Sequence, residues 1–323
     1  MRKILSIDGG GIRGVIPAVV LTEIEHRTGK PTAELFDLLA GTSTGGILAL
    51  GLSKRAADGT PEYAAHDLLK LYEDEGRTIF QRDPWHRIYA LNNLLEEKWP
   101  SKGIEEVLRR YFGEAKISEA AKDILVTSYD IERRRPYFFK RDKARAKPAD
   151  EWLMRQAARA TSAAPTYFEP AKLGRPGSED YLALIDGGVF ANNPGMCAYV
   201  EAVSLWPDET EFLVLSLGTG ELVRAIPYDD ARTWGLAKWA QPLLGVVFDG
   251  VSDTVDYQLR QLCKDEQASV GTYTRLQVTL TEGNDDMDDS SRTNINALKR
   301  LAQNMISDRD KDLRILCEKL QAG

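Results

Sequence analysis

Histidine and cysteine are scarce in this chain, positive charge is in the minority, and no apolar run is long. Among 323 residues there are three histidines, His26, His66 and His86, and three cysteines, Cys197, Cys263 and Cys317. Thiols so far apart match neither a metal-ligand spacing nor a disulfide framework, and they read as buried or free thiols of a reducing compartment. No uninterrupted apolar stretch has the length needed to span a bilayer. Met1-Arg2-Lys3-Ile4-Leu5-Ser6-Ile7 is basic and then apolar, but it meets Asp8 and a glycine cluster too soon for a signal peptide and reads as a first strand. The expectation is a cytoplasmic protein whose membrane contact is peripheral. A net charge of −7 argues against a dedicated DNA or RNA binder. Internal repeats, long linkers and low-complexity tracts are also missing, so residues 1–323 are expected to form a single domain.

What is present alternates between strand-like and helix-like patterns. Strands are expected at Ile4–Ile7, Phe36–Ala40, Ile124–Tyr129, Tyr137–Phe139, Tyr181–Ile185, Phe212–Leu217 and Tyr273–Leu280. Helices are expected at Val15–His26, Pro61–Tyr72, from a Ser101 cap to Arg110, and at Glu151–Ala160. Further ones follow Asn192-Asn193-Pro194 as far as Trp206 and occupy Trp234–Val247, Val251–Cys263 and Asn294–Leu320. The fully apolar Phe212–Leu217 indicates a sheet covered on both faces. Phe80, Trp85, Tyr89 and Trp99 mark an aromatic segment that suits a pocket wall, a cap or plain core.

One turn organises the rest. Gly41-Thr42-Ser43-Thr44-Gly45 lies between an apolar strand and the helical Gly46–Leu52, which places a serine at the tip of a sharp strand-to-helix turn. The following helix directs its N-terminal amides toward that serine. Asp8-Gly9-Gly10-Gly11-Ile12-Arg13-Gly14 likewise follows a strand and precedes a helix. Its glycines would fit a dinucleotide site, but that reading wants an acid at the end of the next strand, and this one ends Leu39-Ala40-Gly41 with Asp37 at its start. Glycines also let backbone N–H groups converge on an anion, which makes the loop a candidate oxyanion hole. Arg13 would add positive charge there or brace the loop. Asp186-Gly187-Gly188 ends a later strand with an approachable carboxylate, although Asp-Gly is also a common turn.

A serine–histidine–acid triad in the chain order of the α/β-hydrolases needs a histidine after the acid, and none follows residue 86. A Ser43–Asp186 dyad is the economical alternative. It requires Asp186 to be buried, because an aspartate at its usual pKa near 3.9 is a poor base at neutral pH. Asp285, Asp286, Asp288 and Asp289 lack the spacing and glycine of a calcium loop, and no metal site is expected. Arg133, Arg134, Arg135, Lys140, Arg141, Lys143, Arg145 and Lys147 form a basic run that reads either as a solvated hairpin or as a site for an anionic partner.

Together these pieces resemble the patatin-like phospholipase family, whose Asp-Gly-Gly-Gly-x-Arg-Gly, Gly-x-Ser-x-Gly and Asp-Gly-Gly motifs stand here in order. Thr161–Phe168, Asn192-Asn193-Pro194, Ser216–Gly220, Trp234-Gly235 and Ser252–Tyr257 add to the likeness, which covers nearly the whole chain. The resemblance implies a three-layer α/β/α sandwich around a mainly parallel central sheet. It also implies hydrolysis of phospholipid or related acyl esters with neither metal nor organic cofactor. Carried onto this chain, Ser43 is the nucleophile within the elbow Gly41, Thr42, Thr44 and Gly45, and Asp186 is its base, followed by Gly187 and Gly188. Gly9, Gly10 and Gly11, with Arg13 and Gly14, supply the oxyanion loop. Two alternatives accompany this reading. Some bacterial relatives in anti-phage systems are switched on by cyclic oligonucleotides, which the basic run would suit; a lipid-binding protein without turnover is the other.

Overall fold

The strands are short, apolar and mostly buried, and they join into one sheet. The structure is a computed structural model that describes residues 1–79, 100–175, 177–221, 225–263, 271–282 and 286–322. Its strands are β1 (Arg2–Ile7), β2 (Leu38–Gly41), β3 (Asp123–Asp130), β4 (Arg135–Lys140), β5 (Ala171–Gly174), β6 (Tyr181–Asp186), β7 (Phe212–Leu217) and β8 (Gly271–Leu276). They are ordered β5-β6-β3-β2-β1-β7-β8, with β4 paired to β3. The pairs β3–β2, β2–β1, β1–β7 and β7–β8 are parallel, whereas β4, β6 and β5 join in antiparallel fashion.

Runs that look uniformly apolar in sequence sort their side chains by the two-residue period of a strand. Leu5, Ile7, Leu39, Leu213 and Leu215 enter a large core on one face. Their neighbours Ile4, Leu38, Ala40, Phe212 and Val214 enter a smaller core on the other. The large face is covered by α1 (Val15–Thr28), α2 (Thr44–Ser53), α3 (Ala65–Ile79), α4 (Lys102–Phe112) and α5 (Met154–Thr161). On the small face, α6 (Gly195–Leu205) contributes Ala198 and Ala202, and α7 (Leu236–Leu262) packs on α6 and β8. The C-terminal α8 (Arg292–Asp308) and α9 (Asp310–Gln321) pack on α1. Helices thus cover both faces of the mostly parallel sheet, giving the expected three-layer sandwich.

One feature of the topology positions the site. Residues 125–130 of β3 pair with β4 along one edge. The opposite edge is shared: β2 occupies it as far as Val126, and β6 occupies it from Asp130 back to Ser128. Because β2 runs parallel to β3 and β6 antiparallel, the two strands approach each other head-on. Gly41 and Asp186, their last residues, are separated along β3 only by Thr127.

Several element boundaries differ from those read in the sequence. Helix α3 begins at Ala65 rather than Pro61, because Pro61 is drawn into a β-bridge with Arg55 and Asp67 accepts the Ala64 N–H at 3.1 Å. Ser101 precedes α4 without capping it; its hydroxyl donates to Glu169 instead. The two helical stretches around Trp234–Val247 and Val251–Cys263 are the single helix α7. The C-terminal stretch is broken at Arg309, whose φ of −105° and ψ of 22° leave helical geometry. β8 stops at Leu276, and β5 carried no recognised signal. Phe80, Trp85, Tyr89, Trp99 and Asp285 lie outside the described residues.

Candidate active site

Ser43 ends the β2 turn with φ 53° and ψ −123°, a region that L-residues rarely adopt. Two close approaches hold it there. A Cβ on Gly41 would lie 2.1 Å from the Gly45 carbonyl oxygen, and one on Gly45 would lie 2.1 Å from that of Ile7. Only glycine fits at either position. The Ser43 N–H donates to the Thr161 hydroxyl at 2.8 Å, and its carbonyl accepts from Ile47 in the first turn of α2. Thr42 points away from the cavity: its hydroxyl donates to the Ala191 carbonyl at 2.6 Å and shares a hydrogen bond with Thr127 at 2.7 Å. Thr44 shares one with the hydroxyl of Tyr72 on α3.

Asp186 reaches Ser43 because β6 and β2 meet at Thr127. Gly187 sits against Thr127, and the Ser128 hydroxyl donates to the Ile185 carbonyl at 2.7 Å, which fixes the end of β6. The Asp186 side chain accepts from the Gly188 N–H at 2.7 Å and lies beside the Ser43 hydroxyl. It is 1 % exposed. Burial pushes its carboxyl up to about 7, against the opposing pull of the Gly188 N–H and the nearby Ser43 hydroxyl. An aspartate that changes protonation near neutrality can exchange a proton with a serine hydroxyl.

The glycine loop leaves β1 beside this pair. Gly10 and Gly11 border the same cavity as Ser43 and Asp186, and no acceptor among the described residues takes their N–H groups. Gly9 differs, since its N–H donates to the Asn192 carbonyl at 3.0 Å. Arg13 braces the loop: it is buried and its Nε donates to the Gly10 carbonyl at 3.3 Å. Gly14 starts α1 against Thr44 and Tyr72. Thus Ser43, Thr44, Asp186, Gly10 and Gly11 share one cavity wall, and Gly9, Arg13 and Gly14 lie off it. The rest of that wall is largely apolar, with Ile12, Ile47, Leu71, Ile104, Phe168 and Phe248.

Asp8 at the root of the loop is fixed from far along the chain. Arg275 on β8 grips its carboxylate with two hydrogen bonds of 2.9 and 2.6 Å and donates to Ser216 at 2.8 Å. Sequence reading missed this pair, as it missed Thr127 and Thr161. Thr127 left a trace in the polar Thr127-Ser128 step inside an otherwise apolar strand, and Thr161 in the Thr161–Phe168 stretch, though neither showed its role. His26 and His66 are both more than half exposed and face Glu23 and Asp67, and neither borders the cavity of Ser43 and Asp186; His86 lies outside the described residues. Within the basic run, Arg133 pairs with Asp130 and Asp180, Lys140 with Glu201 and Arg141 with Asp123, while Arg145 donates to the Ser118 carbonyl. No group of three potential metal ligands occurs among the described residues, and no described helix is long and apolar enough to cross a membrane.

A hydroxyl on a strained elbow, a buried carboxylate beside it and an α/β/α sandwich around both define a class of protein with serine-hydrolase geometry. The family model described as patatin-like phospholipase matches residues 5–198, and the chain belongs to that family. It is similar to patatin-like protein 4 of Arabidopsis thaliana, at 31% identity over 94% of this chain and 82% of that one. It is also similar to patatin-like protein 1 of Oryza sativa subsp. indica, at 31% identity over 95% and 81%. A potato relative named probable inactive patatin-3-Kuras 1 is 30% identical over 95% and 86%. Membership supports lipid acyl hydrolase activity in the broad sense.

Proposed function

We propose that this chain is a single-domain serine lipid acyl hydrolase that cleaves fatty-acyl ester bonds of phospholipids or related lipids through an acyl-enzyme. One observation carries the reading: Ser43, on its strained turn, and a buried Asp186, whose carboxyl is pushed up to about 7 by burial, border the same largely apolar cavity. Asp186 takes the Ser43 proton as Oγ attacks the ester carbonyl. The N–H groups of Gly10 and Gly11 hold the resulting oxyanion, with Gly9 and Arg13 as its frame. The proton then passes to the departing lysophospholipid or other alcohol, the acyl group stays on Ser43, and water later releases it as a fatty acid. The chain would meet its substrate as a peripheral membrane protein. A nucleotide-gated form of the same activity rests on the basic run alone. Four of its eight members are tied to other parts of the protein, so activity without a nucleotide is the preferred reading.

The test is fatty-acid release from mixed phospholipid vesicles, with and without cyclic di- and trinucleotides. Ser43→Ala and Asp186→Asn should each lower release by about a thousandfold or more. Undiminished release by Ser43→Ala would overturn the reading. The rate should climb with pH and level off around a midpoint near 7, as Asp186 becomes able to accept a proton. Stability should move the opposite way. A carboxyl with a raised folded-state pKa binds its proton more tightly in the folded chain, so its contribution falls as pH rises from about 4 towards 7. Asp186→Asn should remove both dependences.

A further inference from the structure

Apart from the dyad, the catalytic cavity has few polar side chains on its wall, and all but one are engaged. Thr44 and Tyr72 bond each other, the Asn192 amide donates to Ser252 at 3.0 Å, and Tyr167 is also engaged. Ser162 is the exception. The residue is 6 % exposed, it borders the cavity, and its buried Oγ has no hydrogen-bond partner. A buried hydroxyl that no protein group satisfies is open to a water or a polar ligand atom.

Ser162 also stands between the two contacts that hold the dyad. Its predecessor Thr161 accepts the Ser43 N–H, and the carbonyl of its successor Ala163 accepts the Asp186 N–H at 3.0 Å. The glycine amides come from β1, a different part of the sheet. Once Ser43 is acylated, its hydroxyl proton is gone from the cavity that it shares with Asp186, and the group that brings a proton there is the attacking water. A water in an apolar cavity needs at least two polar partners to be held there.

We infer that Ser162 Oγ and Asp186 together hold the water that releases the fatty acid from acyl-Ser43, an assignment that rests on the acyl-enzyme reading above. One water hydrogen points to Asp186 and the other to Ser162 Oγ, which leaves an oxygen lone pair for the acyl carbonyl carbon. As the new carbon–oxygen bond forms, the first proton passes to Asp186. The bond from that carbon to Ser43 Oγ then breaks, Asp186 returns the proton to Ser43, and the fatty acid leaves.

Stopped-flow hydrolysis of p-nitrophenyl butyrate, with intact-mass analysis of the enzyme, tests this. Ser162→Ala should keep its first-turnover rate within about twofold of wild type, since acylation does not use the water. Its steady-state rate should fall about tenfold, the worth of one hydrogen bond to the nucleophile, and butyryl-Ser43 should accumulate. Its melting temperature should hold or rise, because an unsatisfied hydroxyl is removed; a purely structural serine would lower it. Equal losses in both phases, or no loss in either, would overturn the assignment. Release by Ser43→Ala equal to that of wild type would instead overturn the acyl-enzyme, and with it any role for its water.

Discussion

Gly10 and Gly11 border an apolar cavity that Ser43 and Asp186 also line, whereas Asp8 and Arg13 of the same loop border a polar one with Thr219, Glu221, Asp249 and Gln277. Asn192 touches both. On the apolar side two N–H groups have no acceptor among the described residues; on the polar side Asp8 is clamped by Arg275 and Arg13 is tied back to Gly10. The loop is therefore a partition, braced on its polar side and presenting two N–H groups on its apolar one. Amides that face an apolar cavity would stabilise an oxyanion more than they would in bulk water, provided the backbone holding them does not move. The polar side supplies that rigidity.

Breaking the brace should have the largest effect. Arg275→Ala leaves the Asp8 carboxylate buried without its partner, and unfolding free energy should drop by about 3–5 kcal/mol in urea titrations. A loss under about 1 kcal/mol, the usual worth of an exposed pair, would mean that water already screens Asp8 and that the two sides are not distinct. Next comes the partition itself. A Cβ on Gly10 would lie 2.3 Å from Thr219 Oγ1 and 2.7 Å from its Cβ, so Gly10→Ala must push the loop out of place. Hydrolysis should fall by about a hundredfold, the usual cost of a lost oxyanion donor, with circular dichroism near that of wild type. The smallest change is on the apolar side. Ile104→Val trims one methyl from the cavity wall at a cost of about 0.5–1.5 kcal/mol. Its kcat/KM should fall only for long-chain esters; an equal fall for acetate and palmitate esters would show that the acyl chain lies elsewhere.

These elements were not equally legible. The Ser43 turn could be read because its determinants are local: two glycines, a strand before and a helix after fix the backbone within five residues. The glycine loop was legible as a place but not in its division of labour. Which amides are spent depends on the Asn192 carbonyl, which lies far off in sequence. The start of α3 was misplaced because Pro61 is taken up by a bridge to Arg55, and Ser101, although it stands at the N-cap position of α4, gives its hydroxyl to the distant Glu169 instead of capping. β5 offers only Ala171–Gly174, too short for any alternation to register.

The sequence by itself determined the elements whose cause is short-range: apolar strands that alternate between two cores, the strained elbow at Ser43, and a carboxylate at the end of a strand. Tertiary structure decided which groups meet. Ser43 and Asp186 are neighbours because β2 and β6 share one edge of β3 and run head-on to Thr127. Asp8 is anchored because β8 lies beside β7 in a register that delivers Arg275 to it. Strand order and register arise from burying both faces of the whole sheet at once, a condition on all the strands together that no single stretch of chain carries.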